Sequence, residues 1–364
     1  MSKQLEDIKK KLPEKKVWLV TGATGQDASY LFEHLYECGQ EIHGLIRRSS
    51  SPEYHTKRID HIVNPEKRNI LHFGDLTEGL DNVILEVKPD YIVNLAAMSH
   101  VFVSFQQPIY TAETNAVGVL RLLESIRRCE KILGKQIRFY QASSSEIWGS
   151  TPPIQDENSI MAPCSPYGVS KLFAYHTTKI YRKSYGMFAS NGILHNHSSV
   201  RRGITFATRK ITRAVARITL GLQDKLYLGN LDAIRDEGKS SDYMKAVLKI
   251  ILHDKPDDFV VATGESHTIR EWAEKTFKFF NLDMNKHVII IEDLKRPSEV
   301  NALVGDSTKA RTLLGWEPEY TYQQLLEEMC LHDYEEALKE KHMIEMEHKF
   351  KSDVDKFKNQ NGAN

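Results

Sequence analysis

Tyr167 and Lys171 are separated by three residues in Ser165-Pro166-Tyr167-Gly168-Val169-Ser170-Lys171. On a helix that spacing sets both side chains on one face. A phenol ordinarily titrates near about 10, too high for a base at neutral pH, and a neighbouring ammonium favours phenolate and lowers that value. Upstream, Gln141-Ala142-Ser143-Ser144-Ser145-Glu146 follows an apolar run and offers a hydroxyl, Ser144, and a carboxylate, Glu146. Alone, those two would read as caps of a turn or helix. Beside Tyr167 and Lys171 they make an acid–base set, and the carboxyl end of a parallel strand is where ligands bind.

Such a set needs elements to position it. An apolar run, Val17-Trp18-Leu19-Val20, stops at Gly22, and Ala28, Leu31, Phe32 and Leu35 then recur at the spacing of one buried helical face. A second run, Glu41–Ile46, ends at Arg47-Arg48, and others come at Ile70–Phe73, Tyr91–Leu95 and Ile137–Tyr140 with helical stretches between. Short apolar strands alternating with helices predict a doubly wound parallel α/β sheet of Rossmann type. The first strand–helix turn, Thr21-Gly22-Ala23-Thr24-Gly25-Gln26-Asp27-Ala28, is built of small residues at GxxGxxA spacing. It lets the backbone approach a pyrophosphate at a helix N-terminus, which points to a dinucleotide. At the end of the second strand, where an acidic residue would hold the ribose of NAD, stand Arg47 and Arg48 followed by Ser49. Guanidinium groups favour a 2′-phosphate, so the expected cofactor is NADP. Asp75-Leu76 falls beside the adenine, and Leu95-Ala96-Ala97 supplies small residues where a ring must pass close to backbone.

The 364 residues, 41% hydrophobic and 27% charged, fit one large globular fold with a second lobe. Lys plus Arg and Asp plus Glu balance at 49 each, which excludes a strongly basic nucleic-acid footprint. No apolar run reaches the roughly 18 residues of a membrane span, and the start of the chain lacks the apolar core of a signal peptide. The 4 cysteines are scattered, without CxxC or metal spacing, as expected of free thiols in a reducing cytoplasm. No metal site is expected. The expected organisation is a charged leader at 1–16, helical or mobile; a dinucleotide-binding domain at 17–190 with a segment near 234–262 returning to it; a smaller lobe over most of 191–330; and a charged tail at 331–364, a solvated helix or disordered. Asn196–Ser199 and Asp232–Ser241 read as polar loops.

The ordered motifs TGATGQDASYL, HGLIRRSSS, HFGDLTE, FYQASSSEIWG, SPYGVSKLFAY, NGILHNH with the following RRG, TRKITRAVARI, LGNLDAIRD and RPSEV resemble the extended short-chain dehydrogenase/reductases, and among them the GDP-mannose 4,6-dehydratases, over about residues 17–330. The resemblance implies a catalytic role for Ser144, where the family usually has threonine, and for Glu146, Tyr167 and Lys171. Ser145 matches the serine of the GDP-mannose enzymes, where dTDP-glucose dehydratases carry aspartate. It implies cofactor contacts at Gly22, Thr24, Gly25, Gln26, Asp27, Arg47, Arg48 and Ser49. Further along these are Asp75, Leu76, Leu95, Ala97, Ser99, Tyr110, His197 and Arg202, together with Tyr167 and Lys171. For the GDP-sugar it implies Ser99, Ser144, Glu146, Asn196, Lys210, Gly229, Arg235, Arg296 and Glu299, the two arginines suiting a diphosphate. The activity implied is conversion of a GDP-manno-configured sugar to its 4-keto-6-deoxy form by internal hydride transfer from C4 to C6. A homo-oligomer is implied as well, a tetramer in which the Arg47–Ser51 loop lies against a neighbouring subunit's cofactor site.

The chain departs from the family's pattern at several points: Met161-Ala162-Pro163-Cys164 before Ser-Pro-Tyr, His195 for phenylalanine, Ser198 for glutamate and Glu237 for tryptophan. Smaller side chains near the sugar suggest GDP-manno-heptose as a substrate beside GDP-mannose. The rival readings are a nucleotide-sugar epimerase or reductase on the same fold, and a non-catalytic NADP-binding regulator. Glu146 argues against the epimerase, because epimerisation at C4 needs no base at C5, and the presence of both Tyr167 and Lys171 argues against the regulator.

Overall fold

The computed structural model describes residues 2–48, 56–62 and 70–360. The chain begins with α1 (Lys3–Lys10), β1 (Val17–Thr21), α2 (Gln26–Glu37), β2 (Glu41–Ile46), β3 (Leu71–Phe73), α3 (Asp81–Val87) and β4 (Tyr91–Asn94). It continues through α4 (Val101–Gln106), α5 (Pro108–Ala112), α6 (Gly118–Leu133), β5 (Arg138–Ser144), α7 (Pro166–Tyr185), β6 (Ala189–Leu194), β7 (Asn196–Ser198) and α8 (Ala207–Thr219). Then come β8 (Leu226–Leu228), β9 (Ile234–Lys239), α9 (Ser240–Ile251), β10 (Asp258–Val261), β11 (Ser266–Thr268) and α10 (Ile269–Phe279). The chain closes with α11 (Met284–His287), β12 (Val288–Ile290), β13 (Ala302–Leu303), α12 (Thr308–Leu314) and α13 (Tyr322–Gln360).

Seven strands form one sheet in the order β10-β6-β5-β4-β1-β2-β3, every neighbouring pair parallel. This is the expected Rossmann sheet, and it is apolar on both faces. Trp18, Val20, Phe32 and Phe259 fill one side with α2 and α9, while Leu19, Ile92, Leu123 and Phe139 fill the other with α3 and α6. The strand order reverses between β1 and β4, which opens the crevice where such folds bind nucleotides. The smaller lobe has its own core, in which α8, α10 and α13 close over Ile211, Trp272, Phe277 and Leu326.

Several segments differ from the expectation. β6 carries the main sheet on to Leu194, and the returning segment starts with α9 at Ser240, because β9 belongs to the lobe's four-stranded sheet. The two supposed polar loops are strands: β7 pairs in parallel with β9, Asn196 opposite Glu237. Every residue of Arg235–Lys239 is buried, so the charges that make β9 look like a loop are enclosed by partners rather than by water. The leader is the helix α1, with Leu5, Ile8 and Leu12 buried in the main core and Gln4 donating to Glu317 O at 2.7 Å. As far as Gln360 the tail continues α13 without a break.

Candidate active site

The β1–α2 turn is the floor of the site. Gly22 adopts φ +67, and a Cβ placed there would lie 2.9 Å from the backbone of Ala96, so only glycine allows β1 and the chain after β4 to approach so closely. Thr21 ties the same ends together, donating to Asn94 Oδ1 at 2.5 Å while its Oγ1 accepts from Ala96 N at 3.1 Å. Gly25 begins α2 without a side-chain cap. The first N–H groups of the helix therefore face the cleft free to take a pyrophosphate, and the turn fits a dinucleotide. Arg47 Nη1 donates to the Tyr110 hydroxyl at 2.5 Å. Arg48 is exposed.

Asp27 is differently engaged from the simple cofactor contact expected of it. Its carboxylate takes His197 Nε2 at 2.9 Å, Ser240 Oγ at 2.7 Å and Gln26 Nε2 at 3.1 Å. Burial disfavours the charge on Asp27, yet the His197 imidazolium and these donors hold its carboxyl well below the usual range. Burial likewise opposes the charge on His197, but Asp27 outweighs it and raises the imidazole. Gln26 Nε2 and Arg202 also donate to the His197 carbonyl. The cofactor turn, the first lobe strand and the start of α9 are thus bolted together beneath the site.

Tyr167 and Lys171 stand on α7, which Ser165 caps through Gly168 N at 3.0 Å and Pro166 opens. Gly168 lets the helix lie against the Ser145–Ile147 turn, since a Cβ there would sit 2.7 Å from Glu146 O. Lys171 Nζ donates to Ala142 O at 2.8 Å and lies 5.9 Å from the centroid of the Tyr167 ring. The expected lowering of the phenol is not seen in the chain alone. Burial pushes Tyr167 up to about 12, with the Ser144 hydroxyl opposing it, and burial also pulls Lys171 down to about 8. The ammonium is anchored on a carbonyl and both groups have left water, so desolvation governs both.

On the lobe side, Arg296 Nη1 donates to Glu146 Oε1 at 3.1 Å, while Glu146 Oε2 is buried with no hydrogen-bond partner among the described residues. Arg235 is held by its own strand, donating to Ile234 O at 2.8 Å, and burial lowers it. Burial also lowers Lys210. Glu299 accepts from Arg296 N at 2.9 Å and Asn230 Nδ2 at 3.3 Å.

All these groups line one cleft of about 1380 Å³ between the carboxyl end of the sheet and the smaller lobe. Around it the structure brings together every proposed site residue that it describes: Gly22, Thr24, Gly25, Gln26, Asp27, Arg47, Arg48, Asp75, Leu76, Leu95, Ala97, Ser99, Tyr110, Ser144, Glu146, Tyr167, Lys171, Asn196, His197, Arg202, Lys210, Gly229, Arg235, Arg296 and Glu299. Ser49 lies outside the described residues. Of the departures, His195 and Glu237 reach the cleft, but Ser198 and the Met161–Cys164 segment do not line it. Met161 and Cys164 instead pack against the core around Trp148. His195 is enclosed against the Trp148 ring at 5.4 Å and pushed down to about 3 by burial and by Arg235. Glu237 is hydrogen-bonded by Ser198. Arg58 was not foreseen: it donates to Thr24 O at 3.1 Å and Arg201 O at 2.9 Å, bracing the dinucleotide turn. It follows the serine run with no motif to mark it.

A family model described as GDP-mannose 4,6 dehydratase matches residues 19–329. GDP-mannose 4,6 dehydratase 1 of Arabidopsis thaliana is 49% identical over 334 residues, which is 90% of this chain and 92% of the relative. The human GDP-mannose 4,6 dehydratase is 44% identical over 348 residues, 88% of this chain and 91% of the relative. Among solved structures, the dTDP-glucose 4,6-dehydratase DesIV from Streptomyces venezuelae with NAD and TYD bound shares the fold at TM-score 0.75 and 21% identity, covering 88% of this chain and 97% of its own. RMD from Pseudomonas aeruginosa complexed with NADPH does so at 0.69 and 22%, covering 88% and 99%. A match that spans both the dinucleotide turn and the lobe's cationic wall covers the whole of the cleft, and the chain belongs to the GDP-mannose 4,6-dehydratase family, nucleotide-sugar dehydratases of the extended short-chain dehydrogenase/reductase class.

Proposed function

We propose that the chain is an NADP-dependent hydro-lyase converting GDP-mannose, or its GDP-manno-heptose homologue, to the GDP-4-keto-6-deoxy sugar. The observation that carries this reading is the single cleft in which Tyr167, Lys171, Ser144 and Glu146 face a wall of Lys210, Arg235 and Arg296. A nicotinamide dinucleotide held by the Gly22–Asp27 turn would supply the hydride acceptor and donor for this internal redox exchange. Tyr167 takes the C4 hydroxyl proton, with Ser144 beside it favouring the phenolate. Lys171, fixed on the Ala142 carbonyl, supports the developing charge. The resulting 4-ketone acidifies C5–H. Glu146 removes that proton and passes it to the departing C6 hydroxyl, which leaves as water, and C5 takes a proton from solvent once C6 has been reduced. Lys210 and Arg235 hold the diphosphate of the donor nucleotide.

NADP is favoured over NAD because Arg48 stands exposed at the end of β2 with no hydrogen-bond partner among the described residues, and no acidic residue occupies that strand end. The free thiols of Cys38, Cys129, Cys164 and Cys330 suit a cytoplasmic protein. The heptose reading rests on His195, a polar ring at the cleft where the family pattern has phenylalanine. Turnover of the two sugars in competition decides it, and a strong preference for the hexose retires it. Self-association is supported by an apolar seam on α7, where Val169, Phe173 and Ile180 are 55%, 45% and 55% exposed on one helical face.

The deciding experiment is isotopic. GDP-mannose deuterated at C4 should yield product carrying deuterium at C6 and solvent hydrogen at C5. Deuterium released on free reduced cofactor would instead identify a reductase.

A further inference from the structure

The ion pair between Glu146 and Arg296 runs from the end of β5 to the strap between β12 and β13, and so crosses the place where the sugar must lie. Its side chains are 8% and 26% exposed. The strap is itself held close: a Cβ on Gly229 would lie 2.6 Å from Leu294 O, and Glu299 accepts from Arg296 N at 2.9 Å. The Arg296 backbone is thus fixed, while its guanidinium lies between two carboxylates, Nη1 on Glu146 and Nε 4.0 Å from Glu299 Oε1. Beside it on the lobe wall two cations stand outside ion pairs: the Lys210 ammonium has no hydrogen-bond or ion-pair partner among the described residues, and the Arg235 guanidinium, near enough to feel the charges of Glu146, Glu299 and Glu237, donates only to the Ile234 carbonyl. Such a wall draws an anion of two or more charges, and a guanidinium gains paired oxygens by turning to it. While Arg296 Nη1 donates to Glu146 Oε1, that oxygen is engaged and cannot approach a C–H proton.

We infer that Arg296 masks the catalytic base in the free enzyme and that the diphosphate of the sugar nucleotide unmasks it by drawing the guanidinium away from Glu146. Arg296 is thus a positioning residue as well as a substrate contact. The unpartnered Glu146 Oε2 and the released Oε1 then both face the sugar. The cost of parting the pair is taken from diphosphate binding, so the base is freed only when a nucleotide sugar is in place. This rests on the substrate reading above.

GDP, which has the diphosphate but no sugar, is the probe. Titrated calorimetrically into enzyme saturated with NADP, GDP should bind Glu146→Gln about tenfold more tightly than wild type, the worth of one charge-assisted hydrogen bond no longer competing for Arg296. In an Arg296→Gln background the same change at Glu146 should alter GDP affinity by less than about twofold. Equal tightening in both backgrounds, or none in either, overturns the inference and leaves the substrate reading standing. A crystal structure of the wild type with GDP checks it independently of any variant's folding: the guanidinium should lie beyond about 4 Å from Glu146, and an intact pair overturns it. Wild-type enzyme that takes up no GDP would overturn both readings together.

Discussion

Burial works against the two groups that must ionise. With Tyr167 pushed up to about 12 and Lys171 down to about 8, the chain by itself holds the phenol neutral at pH 7, and a bound oxidised nicotinamide would supply the positive charge that favours phenolate. Tyr167→Phe removes the proton acceptor and should lower kcat by about 10³-fold with GDP affinity little changed, measured by steady-state kinetics and GDP titration. Glu146→Gln should carry out the oxidation and stop, so that quenched reactions analysed by mass spectrometry show a 4-keto hexose still bearing its C6 oxygen. Normal product from that variant would remove Glu146 from the chemistry. At the other end of the cleft, Arg48→Ala should weaken NADP about tenfold and leave NAD binding unchanged, as read by fluorescence titration of both. An equal loss for the two cofactors would mean that no 2′-phosphate is held there. These four side chains stood out in the sequence because each sits in an ordered motif. Arg58 did not, because its role comes only from folding back onto Thr24 O.

At the scale of elements, strands made of apolar residues were legible and strands made of polar ones were not. β1, β2, β4 and β10 appear as apolar runs. β6 reads Ala189-Ser190-Asn191-Gly192-Ile193-Leu194 and passes unnoticed, although every residue in it is buried. Its Asn191 amide donates at long range to Asp258 Oδ1 at 2.8 Å, a carboxylate that Arg182 also holds through Oδ2 at 2.7 Å. β9 is the stronger case. Asp236 accepts from Thr263 N and Gly264 N at 2.8 Å, and Lys239 pairs with Glu328 at 2.8 Å. A periodicity reading cannot see such pairings, because the partners are far apart in the chain. The Asp27–His197 bolt between α2 and β7 carries a pH signature. His197 is raised in the folded state, so its contribution is fully present below the ordinary imidazole value near about 6.5 and is lost as pH rises through the folded value. His197→Asn should cost about 3 kcal/mol at pH 6 and progressively less at higher pH, followed by chemical denaturation. A penalty independent of pH would show that the pair is not ionic.

For the whole molecule, two packed cores meet at the cleft, so the dinucleotide turn and the cationic wall belong to different lobes joined through α9 and the β7–β9 pairing. The apolar seam of α7 faces outward from the same helix that carries Tyr167 and Lys171 on its buried side. If the chain self-associates through this seam, as proposed, replacing Val169 and Phe173 together by glutamate should leave it monomeric in sedimentation equilibrium, with far-UV circular dichroism unchanged. An unchanged mass would place self-association elsewhere.

The residues themselves determined the sheet class, the glycine turn and the proposed catalytic set, because each depends on local spacing or on a short ordered motif. Only tertiary structure decided that Glu146 is tied to Arg296, that Asp27 is engaged by His197, and that β7 and β9 are strands. Each of these turns on a charge whose partner lies many residues away, and a buried charge is stable only where the fold brings that partner to it.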